Sequence, residues 1–298
     1  VILIFADYNV STGNRNLAMS KFSRKGFTLP EILIVVGIIV LLGTILLTVI
    51  SKAVDAGRRT TCLNNLRGIA AGLMAYTNDN RGAFPGGAMG APPPPPAPAV
   101  PTDDGARPDD WIWWQGFRLD KIGQGGIGPY LKLTSSPGDL AALRCPADDL
   151  ARIKLAWAGG RYPFSYVLNA TMSSDHNTGG AFIARTVSDV KDAPQKILVY
   201  EEDQRMMEDG NGDLLPKGSK DGLATELISI RHSGVKMASD VLNNGSTIPG
   251  MPRVPSLGAA GNAAFCDGHA GPMTRGEAHS RLHFAPDSGI PPWGNSVP

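Results

Sequence analysis

Residues 32–50 read ILIVVGIIVLLGTILLTVI, nineteen positions without a charge. A helix of that length spans roughly 28 Å, close to the hydrocarbon thickness of a bilayer. A helix buried in a soluble core shows a polar stripe, and this run shows none. It therefore belongs in a membrane or in an equally apolar helix bundle. Lys21, Arg24 and Lys25 precede it, with no acid among residues 8–30, so the positive-inside rule leaves this end cytoplasmic and the bulk of the chain outside. A secretory signal cut before Gly57, after Val54-Asp55-Ala56, is disfavoured because the apolar run is longer than a signal needs. An uncleaved anchor fits the length and the charge. Neither explains Glu31, a carboxylate at the edge of the run, where burial is costly unless it is paired.

Lys25-Gly26-Phe27-Thr28-Leu29-Pro30-Glu31 ahead of this run resembles the signature of type IV prepilins and type II secretion pseudopilins. The resemblance implies cleavage by a prepilin peptidase after Gly26 and methylation of the new N-terminal Phe27. It also implies a role for Glu31 in meeting a neighbouring subunit's N-terminal amine, a charge pairing that makes a carboxylate tolerable among apolar helices. Met19 opens a short basic leader, MSKFSRKG, of the kind such proteins use. Residues 1–26 are expected to be a cleaved leader, with 1–18 an upstream extension or part of a longer leader. The implied partners are copies of the same chain in a helical filament, the peptidase, and an assembly ATPase with its inner-membrane platform.

Past residue 50 the helix pattern continues but becomes one-sided. Cys62, Leu66, Ile69, Leu73 and Tyr76 recur at steps of four and three, one face of an amphipathic helix. Asn78-Asp79-Asn80-Arg81-Gly82 supplies turn formers, and Pro85 prevents a restart. These patterns place an N-terminal pilin helix at 27–80, a Pro/Gly-rich loop at 81–110 and a globular β-rich domain at 111–298. Strands are predicted at 166–169, 182–187, 197–200, 226–230 and 263–266. Trp111, Trp113, Trp114 and Phe117 are read as core or under-loop packing, with a glycan platform as the lesser reading. The fold expected is α+β: a long N-terminal helix packed on a C-terminal antiparallel sheet with long loops. The chain has 298 residues, 42% of them apolar, and a net charge of +1. It thus has enough apolar surface for a core and no basic surplus pointing to nucleic acid.

A second set of residues runs through the outer domain. Cys62-Leu63-Asn64-Asn65-Leu66, Asn80-Arg81-Gly82, Leu143-Arg144-Cys145-Pro146, Ser165-Tyr166 with Asn169, and Arg231-His232 with Phe265-Cys266-Asp267-Gly268-His269 occur in that order. Together they resemble a large pilin-like family of Planctomycetes and related bacteria, marked by a histidine and a C-terminal Asp-Gly. That family usually keeps nine residues between the two. Here 34 residues separate His232 from Asp267, which implies an insertion at roughly 239–261. The resemblance carries no catalytic chemistry with it.

The remaining candidates are weaker. His232, Asp267 and His269, or His176, His279 and His283, are weighed as metal ligands, but no close pair has the spacing of a zinc site on one helix, and Asp267-Gly268 reads foremost as a turn with histidines bonding nearby. Asp209, Asn211 and Asp213 match the first ligands of a calcium loop, but Leu214 and Lys220 exclude an EF-hand. A looser calcium site, enriched by Glu201, Glu202, Asp203 and Glu208, and a plain solvated acidic turn both stay open. Among three cysteines, an oxidising compartment permits Cys62–Cys145 or Cys145–Cys266. No nucleophile elbow occurs, so an enzyme is not expected. The expectation is a filament subunit: inserted in the inner membrane with its N-terminus cytoplasmic, and extracytoplasmic after processing. Its alternative is a membrane-tethered extracytoplasmic binding or hydrolytic domain that never polymerises.

Overall fold

The computed structural model describes residues 27–88, 109–113, 119–134, 136–148, 164–176, 182–203, 210–212, 214, 227–233, 258–278 and 280–286. Gly26 and the leader, most of the Pro-rich loop, Trp114, Phe117, Asp209, Asp213, Glu226 and most of the insertion lie outside them. The elements in chain order are α1 (Leu29–Asp79), α2 (Gly128–Leu131), α3 (Pro137–Leu140), β1 (Tyr166–Asn169), β2 (Asp175–His176), β3 (Phe182–Ile183), β4 (Ile197–Glu201), β5 (Asn211–Gly212), β6 (Ala260–Phe265), β7 (Ala270–Thr274), α4 (Arg275–Ala278) and α5 (Arg281–Phe284). The chain divides into two compact units, residues 1–50 and 51–298.

The first unit contains the apolar part of α1, which is long and apolar enough to cross a membrane. Its large side chains, from Ile32 to Ile50, are exposed on every side. The two hydroxyls in this stretch are satisfied inside the helix: Thr44 donates to the Leu41 carbonyl and Thr48 to that of Ile45, each at 2.8 Å. No polar side chain of this stretch thus needs water, which is what a lipid-facing helix requires.

In the second unit α1 turns one-sided. Cys62, Leu66, Ile69, Ala70, Leu73 and Thr77 are buried, while Tyr76 is half-buried and packs edge-on against Tyr130. The helix ends where Arg81 and Gly82 take positive φ (57° and 83°) and the Gly82 N–H returns to the Thr77 carbonyl at 2.7 Å. That is the left-handed stop expected from Asn80-Arg81-Gly82.

Five strands form one sheet in the order β5-β1-β4-β6-β7, and with α1 they give the α+β layout. The expected antiparallel pairing holds for β1, β4, β6 and β7, while β5 makes the sheet mixed by running parallel to β1, with Leu168 opposite Asn211. Both edges of β4 are taken, by β1 and β6, so the strand that follows it pairs on the far edge of β1. The strand predicted at 182–187 shrinks to the two residues of β3. Beyond it, Thr186 and Asp189 form a capping box that starts a short helix at Val187–Asp189. Of the strand predicted at 226–230, the described residues keep one bridge, Ile228 to Glu202. The unforeseen β7 contains Gly271 and Pro272, poor strand formers tolerated because the strand lies at the sheet edge. Trp111 is fully buried and donates its Nε1–H to the Gly210 carbonyl at 2.7 Å, a core role rather than a platform.

The Asp189 cap is testable by pH. The Thr186 N–H and hydroxyl donate to Oδ2 of Asp189 at 2.8 and 2.9 Å. The backbone bond first, then the hydroxyl, holds the carboxyl below its ordinary value of 3.8. A depressed carboxylate contributes stability above its unfolded pKa and loses it as pH falls through the folded one. Asp189→Asn should therefore cost about 0.5–1 kcal/mol at neutral pH, with the gap to the parent closing in acid. Thermal melts of the full chain in detergent across that pH range would show it. An equal gap at both ends would contradict the assignment.

Candidate functional site

A buried polar cluster of the second unit lies where α1, β4 and the 227–233 segment meet. Cys62 on α1 is joined to Cys145 by a disulfide, leaving Cys266 as a buried free thiol. One turn further along α1, the Asn65 amide donates to the carbonyls of Ala141 and Arg144 (3.2 and 3.0 Å) and to the Tyr166 hydroxyl (3.3 Å). The Cys145 N–H donates to Ser165 Oγ at 2.9 Å, and that hydroxyl donates to Asp148 at 2.7 Å. Asp148 in turn pairs with Arg231 at 2.8 Å, both side chains almost wholly buried. Arg231 also reaches Ser229 Oγ and the Glu202 carbonyl. Buried charges of this kind persist only when paired and hydrogen-bonded.

This lacing delivers His232. Its Nε2 lies 3.2 Å from Cys145 Sγ and 3.4 Å from Glu201 Oε2. The other Glu201 oxygen accepts from the Asn262 amide at 3.0 Å. Glu201 is fully buried at the end of β4, and Asn262 on β6 is equally buried. The segment bearing His232 is held close by Gly261, where an added Cβ would stand 2.0 Å from the Ser229 carbonyl oxygen.

The chemistry open to this cluster is limited. A nucleophilic relay needs one imidazole nitrogen on the nucleophile and the other on the carboxylate; here Nε2 faces both, and Cys145 is tied up as disulfide. Burial, and then the Glu201 charge, raise the Tyr166 phenol above its ordinary value. Burial likewise pushes the Cys266 thiol up to about 12, which makes it an inert core group.

The other sequence candidates are placed as follows. Asp267 and Gly268 form the β6–β7 turn: Gly268 has φ +90°, and Asp267 Oδ1 accepts from the His269 N–H at 3.0 Å and meets its ring at 2.6 Å. Burial acts to raise the Asp267 carboxyl, but these bonds and the His269 charge outweigh it and hold it low. His232 Nε2 lies against Glu201 and Cys145 rather than Asp267. Of the calcium candidates, Asn211 sits on β5, while Asp209 and Asp213 lie outside the described residues. Glu201 and Asp203, suggested as extra oxygen ligands, are instead committed to the His232–Asn262 cluster and to Arg275. Phe27 is exposed, and Glu31 Oε2 accepts from the Thr28 N–H and hydroxyl at 2.8 and 2.7 Å.

Sequence reasoning missed Glu201 and Asn262 as members of this cluster. One signal was available: the run ILVYE places a carboxylate at the end of an apolar strand, and a strand buried on both faces must supply it a partner.

No curated protein and no solved structure matches the chain. Residues 51–211, over half of the chain, match the model of the family described as protein of unknown function (DUF1559). That match covers the amphipathic part of α1, both disulfide cysteines, Ser165, Asn169 and Glu201. With the apolar helix ahead of it, the chain belongs to the DUF1559 family of Planctomycetes-type pilin-like proteins.

Proposed function

We propose that the chain is a structural subunit of a type IV pilus-like or type II secretion pseudopilus filament, cleaved after Gly26 and polymerised through α1. One observation carries this reading: α1 exposes apolar side chains on all sides up to residue 50 and buries a single face beyond it. The exposed part suits lipid before assembly and neighbouring helices after it. Both bonds from Thr28 to Glu31 fall on Oε2, leaving Oε1 to meet a neighbour's amine. The outer unit is a display domain rather than a catalyst, in keeping with its disulfide-bound Cys145 and buried histidine. Calcium at Asp209, Asn211 and Asp213 stays part of this proposal, to be tested by a melting shift of the full chain with added calcium.

The test is intact-mass and N-terminal peptide analysis of the native protein in sheared filaments and in membranes, with Glu31→Ala alongside. A mature chain starting at methylated Phe27 in filaments, and at least a several-fold loss of filament subunits in the variant, is the expected result. An intact leader found only in membranes would replace the filament by a tethered domain.

A further inference from the structure

Four groups of zinc-ligand type converge in the second unit: Sγ of Cys62 and Cys145, Oε2 of Glu201 and Nε2 of His232, all within 4.8 Å of one another. They come from α1, the segment before Asp148, the end of β4 and the segment after Ile230, so only the folded chain unites them. The Glu201 side chain is 0% exposed and that of His232 4%. Among the described residues Glu201 Oε2 accepts no hydrogen bond and has only the 3.4 Å approach of His232 Nε2, although Oε1 is served by Asn262. A buried carboxylate oxygen without a donor is costly, and this one points at a ring nitrogen and two sulfurs.

Ligand-to-ligand separations in a tetrahedral zinc site are about 3.3–3.8 Å. His232 Nε2 already stands 3.4 Å from Glu201 Oε2 and 3.2 Å from Cys145 Sγ. The Nε2–Oε2 edge of such a tetrahedron is therefore preset, the Nε2–Sγ edge is slightly short of it, and the sulfur–sulfur edge opens when the bond between the cysteines breaks.

We propose that this cluster is a redox-gated zinc site. In the oxidised chain Cys62 and Cys145 are joined. In the reduced chain their thiolates, with His232 Nε2 and Glu201 Oε2, hold one Zn²⁺. A dithiol reductant supplies two electrons and two protons, the S–S bond breaks, and the reductant becomes a disulfide. Zinc then displaces both thiol protons to solvent and forms two Zn–S bonds beside one Zn–N and one Zn–O bond. The metal takes over the staple between α1 and Cys145 that the disulfide provided. The site lies wholly in the second unit and does not depend on polymerisation.

The experiment uses the full chain in detergent micelles, oxidised or reduced anaerobically with dithiothreitol, freed of reductant and given Zn²⁺ or Co²⁺. The reduced chain should retain about one zinc per chain and the oxidised chain none. Cobalt should give tetrahedral d–d bands with sulfur charge transfer. His232→Ala and Glu201→Gln, which keep both thiols, should each weaken zinc binding at least about ten-fold. Failure of the reduced chain to retain zinc, or undiminished retention in Cys62→Ser/Cys145→Ser, would overturn the proposal. Should the variants not fold, X-ray absorption on the zinc-loaded parent decides: two sulfurs and two lighter ligands support the site, and any other shell refutes it.

Discussion

Replacing Cys62 and Cys145 together by alanine should lower the melting midpoint of the full chain by roughly 10–20 °C. The two cysteines are 83 residues apart, and closing a loop of that size in the unfolded chain is worth about 4–5 kcal/mol at 25 °C by chain-entropy arithmetic. A domain's whole stability is about 5–15 kcal/mol, so the bond is a major part of what holds the amphipathic part of α1 within the second unit. The Asn65 clamp on Ala141 and Arg144 survives the substitution, and it should keep the variant folded at low temperature. Non-reducing melts in detergent of parent and variant, without metal, measure the effect. A shift of only a few degrees would mean that packing around Cys62 already fixes the helix.

Arg275→Met should be nearly as damaging, at about 3–5 kcal/mol. Arg275 is fully buried at the start of α4; its guanidinium pairs with the equally buried Asp203, and its Nε donates to the Ile228 carbonyl at 2.9 Å. Truncation leaves the fully buried Asp203 carboxylate without this cation. It also unties residues 227–230, which lie against the end of β4 through the bonds Ser229 N–H to Glu201 and Asp203 N–H to Leu227. The paired substitution Arg275→Met/Asp203→Leu removes both charges and should recover most of the loss, since a buried ion pair contributes little beyond a well-packed apolar pair. Denaturant titration of the three chains gives the comparison. A loss below about 1 kcal/mol in the single variant, or no recovery in the double, would refute this account of the pair.

Much of the fold was legible because its signals are local. The switch from uniform to one-sided apolarity near residue 50, the stop at Asn80-Arg81-Gly82, and the cores of β1, β4 and β6 follow from period and turn chemistry within a few residues. The outer motifs were visible too, but their jobs were not. Asn65 clamps Ala141 and Arg144. Asn169 donates to the carbonyls of Ile197 and Phe284 at 2.7 and 2.9 Å. His232 is directed at Glu201. None of these partners is near its residue in sequence, so no spacing rule could name them.

The amino-acid sequence by itself determined a helix apolar on all sides and then on one, followed by a sheet-forming domain, because hydrophobic period acts residue by residue. Tertiary structure alone decided that Cys145 bonds to Cys62 and not to Cys266, that β5 joins β1 in parallel, and that Glu201, His232 and Asn262 share one buried cluster. Those outcomes depend on which distant surfaces a closed core brings within a few ångströms, and on each buried polar group finding a partner once water is gone.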